Sequence, residues 1–227
     1  MKKAFPILII AAVIALIIAG VMQLSSEKPL RLLPYYGPKK IDSIQEGGKW
    51  LVDTTFHQVK PFSFIDQKGN TITDQMFKDK IYVTDYFFCT CQSICPIMTK
   101  QMARIAKQFE NDTDVLFLSH TVNPEHDSVN VLADYAQLHG VKYGQWYLVT
   151  GDKPALYKQA RESYMLDASE GDGGVDDFIH TENFALIDPN KNIRGYYDGT
   201  DSLAMEQLMK DIGLLKKEIA FNRKIKS

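Results

Sequence analysis

The apolar and polar positions of the chain change period several times, and each change marks an element. Phe62 to Asp66 alternates with period two, Gln67-Lys68-Gly69-Asn70 supplies turn chemistry, and Thr71 to Thr73 completes a predicted hairpin. Ile81 to Phe88 is an apolar, aromatic and β-branched run, which predicts a buried strand. Ile97, Met98, Met102, Ile105, Ala106 and Phe109 then recur at helical spacing and predict an amphipathic helix from about Pro96 to Glu110. Val115 to Leu118 reads as a second buried strand that Asn123-Pro124 ends. Asp127 or Ser128 caps a helix carrying Val131, Leu132, Tyr135, Ala136 and Leu138 up to Gly140. A third strand follows at Gln145 to Val149, and a third helix from Pro154 to about Tyr164. Phe184 to Ile187 and Ile193 to Tyr197 flank the turn Asp188-Pro189-Asn190-Lys191-Asn192 as an antiparallel hairpin, and Ser202 to Phe221 closes the chain as an amphipathic helix. The tail from Arg223 to Lys226 is basic and reads as solvated.

The βαβα order calls for parallel strands joined by crossover helices, and the terminal hairpin and helix complete the order of a thioredoxin-like α/β domain with an N-terminal β-hairpin. Extra segments stand at its N-terminus and between about residues 122 and 177. The start of the chain differs in kind. Lys2 and Lys3 precede an apolar run from Ala4 to Met22, long enough to cross a hydrocarbon core of roughly 30 Å as a helix. The expected organisation is a transmembrane anchor at 1–25, a tether at 26–60 carrying Pro29, Pro34, Gly37 and Pro38, and the α/β domain at 61–227. With the lysines held in the cytoplasm, the domain lies on the periplasmic or extracytoplasmic side. A cleaved signal peptide, the alternative, exports it equally, but its apolar region is normally shorter.

Composition narrows the function. The 227 residues carry a net charge of −2, so no basic field recommends nucleic acid as a partner. The three cysteines, Cys89, Cys91 and Cys95, all lie within seven residues, at the junction of the first buried strand and the first long helix. The odd count argues against a purely structural disulfide framework in an exported domain. A helix N-terminus stabilises thiolate over thiol, and thiolate is the form that attacks disulfides or binds soft metals. Cys91 and Cys95 lie four apart, so a helical turn between them brings both sulfurs to one face.

That pair supports two chemistries, disulfide exchange and metal binding. Its three intervening residues leave more room for an ion than the two of thioredoxin-type oxidoreductases. Two thiolates need a further donor, and His180, after the acidic glycine-rich stretch Asp167 to Asp177 and ahead of the terminal hairpin, is the strongest candidate. Two thiolates and an imidazole form a soft, low-coordinate set that suits copper, Cu(I) above all; zinc would want a fourth ligand, Cys89 or water. His57, His120, His126 and His139 read as surface or hydrogen-bonded histidines. Cys89 is either a third sulfur or a small buried residue, and Met98 and Met102 fit the core face of their helix. The acidic stretch is a solvated loop or a surface for a basic partner.

Several motifs together resemble the Sco/SenC family, membrane-anchored thioredoxin-like copper proteins that assist assembly of cytochrome c oxidase. They are the Phe62 to Thr73 hairpin, Phe88 through C-x-x-x-C-P, Val122-Asn123-Pro124-Glu125 with Asp127, and His180 before Ala185-Leu186-Ile187-Asp188-Pro189-Asn190. The resemblance covers about Phe62 to Gly213. It implies that Cys91, Cys95 and His180 bind copper, that Cys91 and Cys95 also cycle between dithiol and disulfide, and that the partner is the copper-bearing subunit of cytochrome c oxidase. The chain departs from the family at Gln92 and Ser93, where Pro and Asp are usual, at Asn123, where Asp is usual, and at Cys89, where Thr is common. A membrane-anchored thiol-disulfide oxidoreductase without metal is the second expectation, with Cys91 attacking and Cys95 resolving. A thiol peroxidase is a weaker third, since no Thr/Arg environment for a peroxidatic cysteine is evident.

Overall fold

The computed structural model describes residues 32–47, 49–166, 179 and 181–226. The apolar run at the start of the chain, the acidic stretch and His180 lie outside these residues. Among the described residues no helix is long and apolar enough to cross a membrane.

A seven-stranded mixed sheet organises the domain. Its strands are β3 (Ser63–Asp66), β4 (Thr71–Thr73), β5 (Ile81–Phe87), β6 (Val115–Thr121), β7 (Trp146–Thr150), β8 (Asn183–Ile187) and β9 (Ile193–Asp198), in the spatial order β4-β3-β7-β6-β5-β8-β9. The three central strands β7, β6 and β5 are parallel and β8 joins β5 antiparallel. Every residue of β5, β6 and β7 is buried, which is why these strands read as mostly apolar runs instead of alternating ones.

Alternation along the strands separates two cores. Ile81, Val83, Phe87, Phe117, Leu148 and Leu186 face one way, against Met98, Met102 and Ile105 of α1 (Cys95–Gln108), Leu132 of α2 (Val129–Leu138) and Met205, Leu208, Ile212 and Leu215 of α4 (Ser202–Lys226). Tyr82, Tyr86, Leu118, Tyr147, Val149 and Ile187 face the other way, against Phe62, Phe64 and Phe77, and against Leu156 and Tyr157 of α3 (Lys153–Lys158), which continues into a π-helical turn Gln159–Tyr164. Met98 and Met102 are fully buried, as their helical spacing predicts. The last helix runs to Lys226, so the basic tail extends it, with Arg223 and Lys224 exposed.

In the segment expected to act as a tether, β1 (Lys39–Glu46) pairs with β2 (Lys49–Phe56) as a separate antiparallel hairpin. Leu33 is buried, and the chain beside it is held by Arg194, itself 2% exposed. The Arg194 guanidinium donates to the carbonyls of Leu33 at 2.6 Å and Pro34 at 3.0 Å, to Asp188 Oδ2 at 3.2 Å and to Glu218 Oε1 at 2.8 Å. Tyr36 donates its N–H to the Ile193 carbonyl at 2.9 Å. Residues 33–36 thus lie on the domain, an attachment that tether composition does not reveal because a distant arginine makes it.

Candidate metal and thiol site

The site forms where β5 ends and α1 begins. β5 lies between β6 and β8 and pairs with β6 as far as its last residue, Phe87, and Cys91 N–H donating to the Phe88 carbonyl at 3.2 Å closes a turn just beyond it. Ile94 caps α1 without a side-chain bond, Cys95 is its first residue and Pro96 follows, where a missing N–H costs the helix nothing. The Ile97 and Met98 amides donate to the Ile94 carbonyl. All three cysteines are free thiols. Cys91 (9% exposed) and Cys95 (4%) line a cleft of about 100 Å³ with Tyr86, Phe88, Val122, Ile179 and Thr181 among its other walls.

The two thiols are electrostatically unlike. Burial pushes the Cys91 thiol up, but the Ser93 hydroxyl (S to O 3.5 Å), then the Cys95 thiol and the backbone of Cys95 and Ser93, outweigh it and bring Cys91 down to about 7. Cys95 is pushed up to about 12, first by burial and then by its role as donor to Cys91. Cys91 is therefore the thiolate of the pair near neutral pH and Cys95 its proton donor. Ser93, read from sequence only as a departure from the family pattern, supplies the leading stabilising contact. An acidic side chain at that position would oppose a thiolate instead.

Two buried carboxyl groups stand behind the cleft. Asp85, 2% exposed in the middle of β5, is raised to about 7 by burial, even though Ser119 Oγ donates to it at 2.5 Å; Trp146 Nε1 donates in turn to that hydroxyl at 2.9 Å. Its charge is felt at Cys95. Asp127, fully buried, accepts from the Cys89 backbone N–H at 3.1 Å and from Thr121 Oγ1 at 2.5 Å. Sequence reasoning passed over both as site components, although one signal was available: Asp85 interrupts an otherwise apolar strand.

The expected residues sort as follows. Cys91 and Cys95 come together. His180 lies outside the described residues, while its two neighbours, Ile179 and Thr181, both line the cleft. Among the described residues no three Cys, His, Asp or Glu side chains converge as a metal site, so Cys89 does not close a third corner with Cys91 and Cys95. The other histidines are bonded or packed. His57 Nε2 meets the Ser163 carbonyl at 2.7 Å, His126 Nδ1 meets Asp127 Oδ1 at 3.0 Å, and His139 lies 4.2 Å from the Tyr135 ring. His120 is fully buried against Tyr86 with its Nδ1 3.2 Å from Thr84 Oγ1, and burial lowers it to about 3.

Comparison with known proteins places this arrangement. The SCO1/SenC family profile matches residues 53–215. A SCO1 protein homolog of Bacillus subtilis is 26% identical over 168 residues, which are 73% of this chain and 86% of the relative. The crystal structure of a SCO1/SenC family lipoprotein from Bacillus anthracis superposes with a TM-score of 0.60 at 29% identity, covering 70% of this chain and 95% of that one. A structure of BsSco, described as a member of the Sco family of cytochrome c oxidase assembly proteins with a disulfide switch, has the same TM-score at 25% identity, over 70% of this chain and 93% of its own. The thioredoxin-like domain with its paired thiols at the head of α1, matched by the profile over most of its length, belongs to the SCO1/SenC family.

Proposed function

We propose that this protein is a copper chaperone for cytochrome c oxidase assembly, with copper as its cargo. The observation that carries the reading is the pair itself: a thiol brought down to about 7 beside a second thiol at a helix N-terminus, opening on a cleft of about 100 Å³. Two sulfurs at such a site suit a soft ion of low coordination number, and Cu(I) fits that demand better than a hard cation. His180 is the third donor in this reading, supported by the position of Ile179 and Thr181 in the cleft wall. The proposed partner is the copper-bearing subunit of the oxidase, in keeping with the assembly role described for BsSco. Residues 1–25 anchor the protein and residues 26–60 lead to the domain at 61–227, held outside the cytoplasm.

Cys91 and Cys95 bind the ion, and the Ser93 hydroxyl and the backbone of Ser93 and Cys95 favour the thiolate that binding requires. Loading displaces the Cys95 proton, so metal uptake strengthens as pH rises. Titrating the reduced protein with Cu(I) against a chromophoric chelator tests the reading: one tightly held copper per chain is expected, and no binding in competition with the chelator refutes it.

The split between Cys91 and Cys95 also favours a second reading, thiol-disulfide exchange on the same pair. The Cys91 thiolate attacks a partner disulfide, forming a mixed disulfide and releasing one partner thiolate. Cys95 then loses its proton and attacks Cys91 Sγ, releasing the second partner sulfur and leaving Cys91–Cys95 oxidised. A strongly reducing potential with disulfide reductase activity indifferent to copper would favour this reading over the first.

A further inference from the structure

We propose that the outer face of α4 near its end, carrying Lys217, Phe221, Lys224 and Ile225, docks on an anionic lipid surface and so holds the domain against the membrane that anchors it. The proposal rests on the reading of residues 1–25 as an anchor and is independent of the copper reading.

The face follows from helical spacing. Lys217, Phe221, Lys224 and Ile225 stand at i, i+4, i+7 and i+8, so they share one side of α4, and all four are exposed. Phe221 is 53% and Ile225 68% exposed. Upstream, the same helix buries Met205, Leu208, Ile212 and Leu215 on its opposite side, and an outer face made for water alone would be polar. Two large apolar side chains one turn apart, flanked by lysines, instead match a helix that lies in a membrane interface. There the apolar groups enter the headgroup boundary and the lysine stems reach back to the phosphates.

Charge complementarity and chain length select this occupant. Arg223, exposed next to the face, lines a cleft of about 170 Å³ with Asp79, Pro189, Ile219 and Asn222. The acids on adjoining elements are matched by other cations: Lys80 pairs with Asp114 at 3.0 Å, Lys216 pairs with Asp112, and Glu218 is buried on Arg194. Lys217, Arg223 and Lys224 therefore outweigh Asp79, and the face is positive in a chain whose net charge is −2. An anionic bilayer attracts such a basic cluster, whereas a neutral one does not. The chain also enters the domain at this helix, since the Leu33 N–H donates to Glu218 Oε2 at 3.3 Å and Arg194 holds the Leu33 carbonyl at 2.6 Å. From Glu218 to Ile225 is roughly 10 Å along a helix. In the anchored reading only residues 26–32 lead from the membrane helix to Leu33, a contour of at most about 25 Å, which keeps this face within reach of the bilayer.

The test uses the full-length chain carrying Trp50→Phe and Phe221→Trp, checked for native circular dichroism. It is reconstituted in nanodiscs of phosphatidylcholine alone or mixed with phosphatidylglycerol, both containing lipids brominated near the headgroup end of their acyl chains. Trp146 is buried, so bromine quenching reports position 221. Quenching at least about twofold stronger in the anionic discs is expected, lost at high salt and lost when Lys217→Gln, Arg223→Gln and Lys224→Gln are combined. Equal quenching in both discs, or quenching that survives the charge removal, overturns the proposal. So does shielding of position 221 that tracks protein concentration instead of lipid charge, which would make the face an interface between copies of this chain. A chain that does not stay with neutral discs refutes the anchor reading. Sedimentation with phosphatidylglycerol vesicles then decides the face: binding lost in the triple variant supports it, and absent or unaltered binding overturns it.

Discussion

Replacing Ser93 by alanine isolates the contact that does most to make Cys91 a thiolate. The reference thiol stands at 9.0 and Cys91 at about 7, a net preference for the anion of roughly 2.7 kcal/mol after the opposing effect of burial. Ser93 is the first of the contacts that lower it, donating across 3.5 Å. A hydrogen bond to a charged acceptor contributes about 1.5 kcal/mol, so Ser93→Ala should raise Cys91 by about one pH unit. At pH 7 the thiolate fraction then falls from about one half to about one tenth, and carbamidomethylation of Cys91 slows roughly fivefold. The assay is the pH profile of the iodoacetamide rate between pH 5 and 9, read at Cys91 by peptide mass; Cys89 and Cys95 are both held well above that range by burial first. Ser93→Asp should move the midpoint further upward, by adding a negative charge beside the thiolate. A Ser93→Ala midpoint equal to or below that of wild type would refute the assignment of Ser93 as the leading donor.

Further outcomes follow from buried charges. Arg194→Ala strands Glu218 and Asp188, 3% exposed each, without their cation, and should cost about 3 to 5 kcal/mol in urea unfolding; a loss below 1 kcal/mol would show that the network does not hold the chain at Leu33 and Pro34. Asp85 is held above its unfolded value of 3.8, so its contribution to stability is complete below about pH 4 and is lost as pH rises through about 7, on the order of 4 kcal/mol in full. Asp85→Asn should therefore be relatively more stable at pH 8 than at pH 4, and an unchanged pH slope would contradict the shift. His120 has the opposite sign: held down at about 3, its contribution is complete above about pH 6.5 and is lost as pH falls towards 3, so His120→Phe should flatten the acid limb of the stability curve.

Much of the fold was legible because the elements that carry it are strongly patterned. The mostly apolar runs at Ile81 to Phe88 and Val115 to Leu118 read as buried strands, and the recurrence of Met98, Met102 and Ile105 fixed the core face of α1. The hairpins were announced by their turns, where Gly69 takes a φ of +81° that other residues resist and the Asp66 carboxylate caps the Lys68 and Asn70 amides. The β1–β2 hairpin was not, since its residues are mostly exposed and Trp50 and Val52 point to solvent, so no buried face imposes a pattern. At the site, Cys91 and Cys95 were legible through spacing alone. Ser93, Asp85 and Asp127 were not, because what makes each matter is a contact: to a sulfur two residues back, to a hydroxyl on the adjacent strand, to an amide 38 residues away.

On the proposed function, Cys91, Cys95 and His180 together hold one Cu(I). Copper affinity of the reduced full-length chain, measured by competition with a chromophoric chelator at fixed pH for wild type, Cys91→Ala, Cys95→Ala and His180→Ala, tests it most directly. One equivalent bound by wild type, and a loss of at least about a hundredfold in each variant, is the predicted result. Full affinity in His180→Ala would remove the histidine from the ligand set, and full affinity in either cysteine variant would contradict the account.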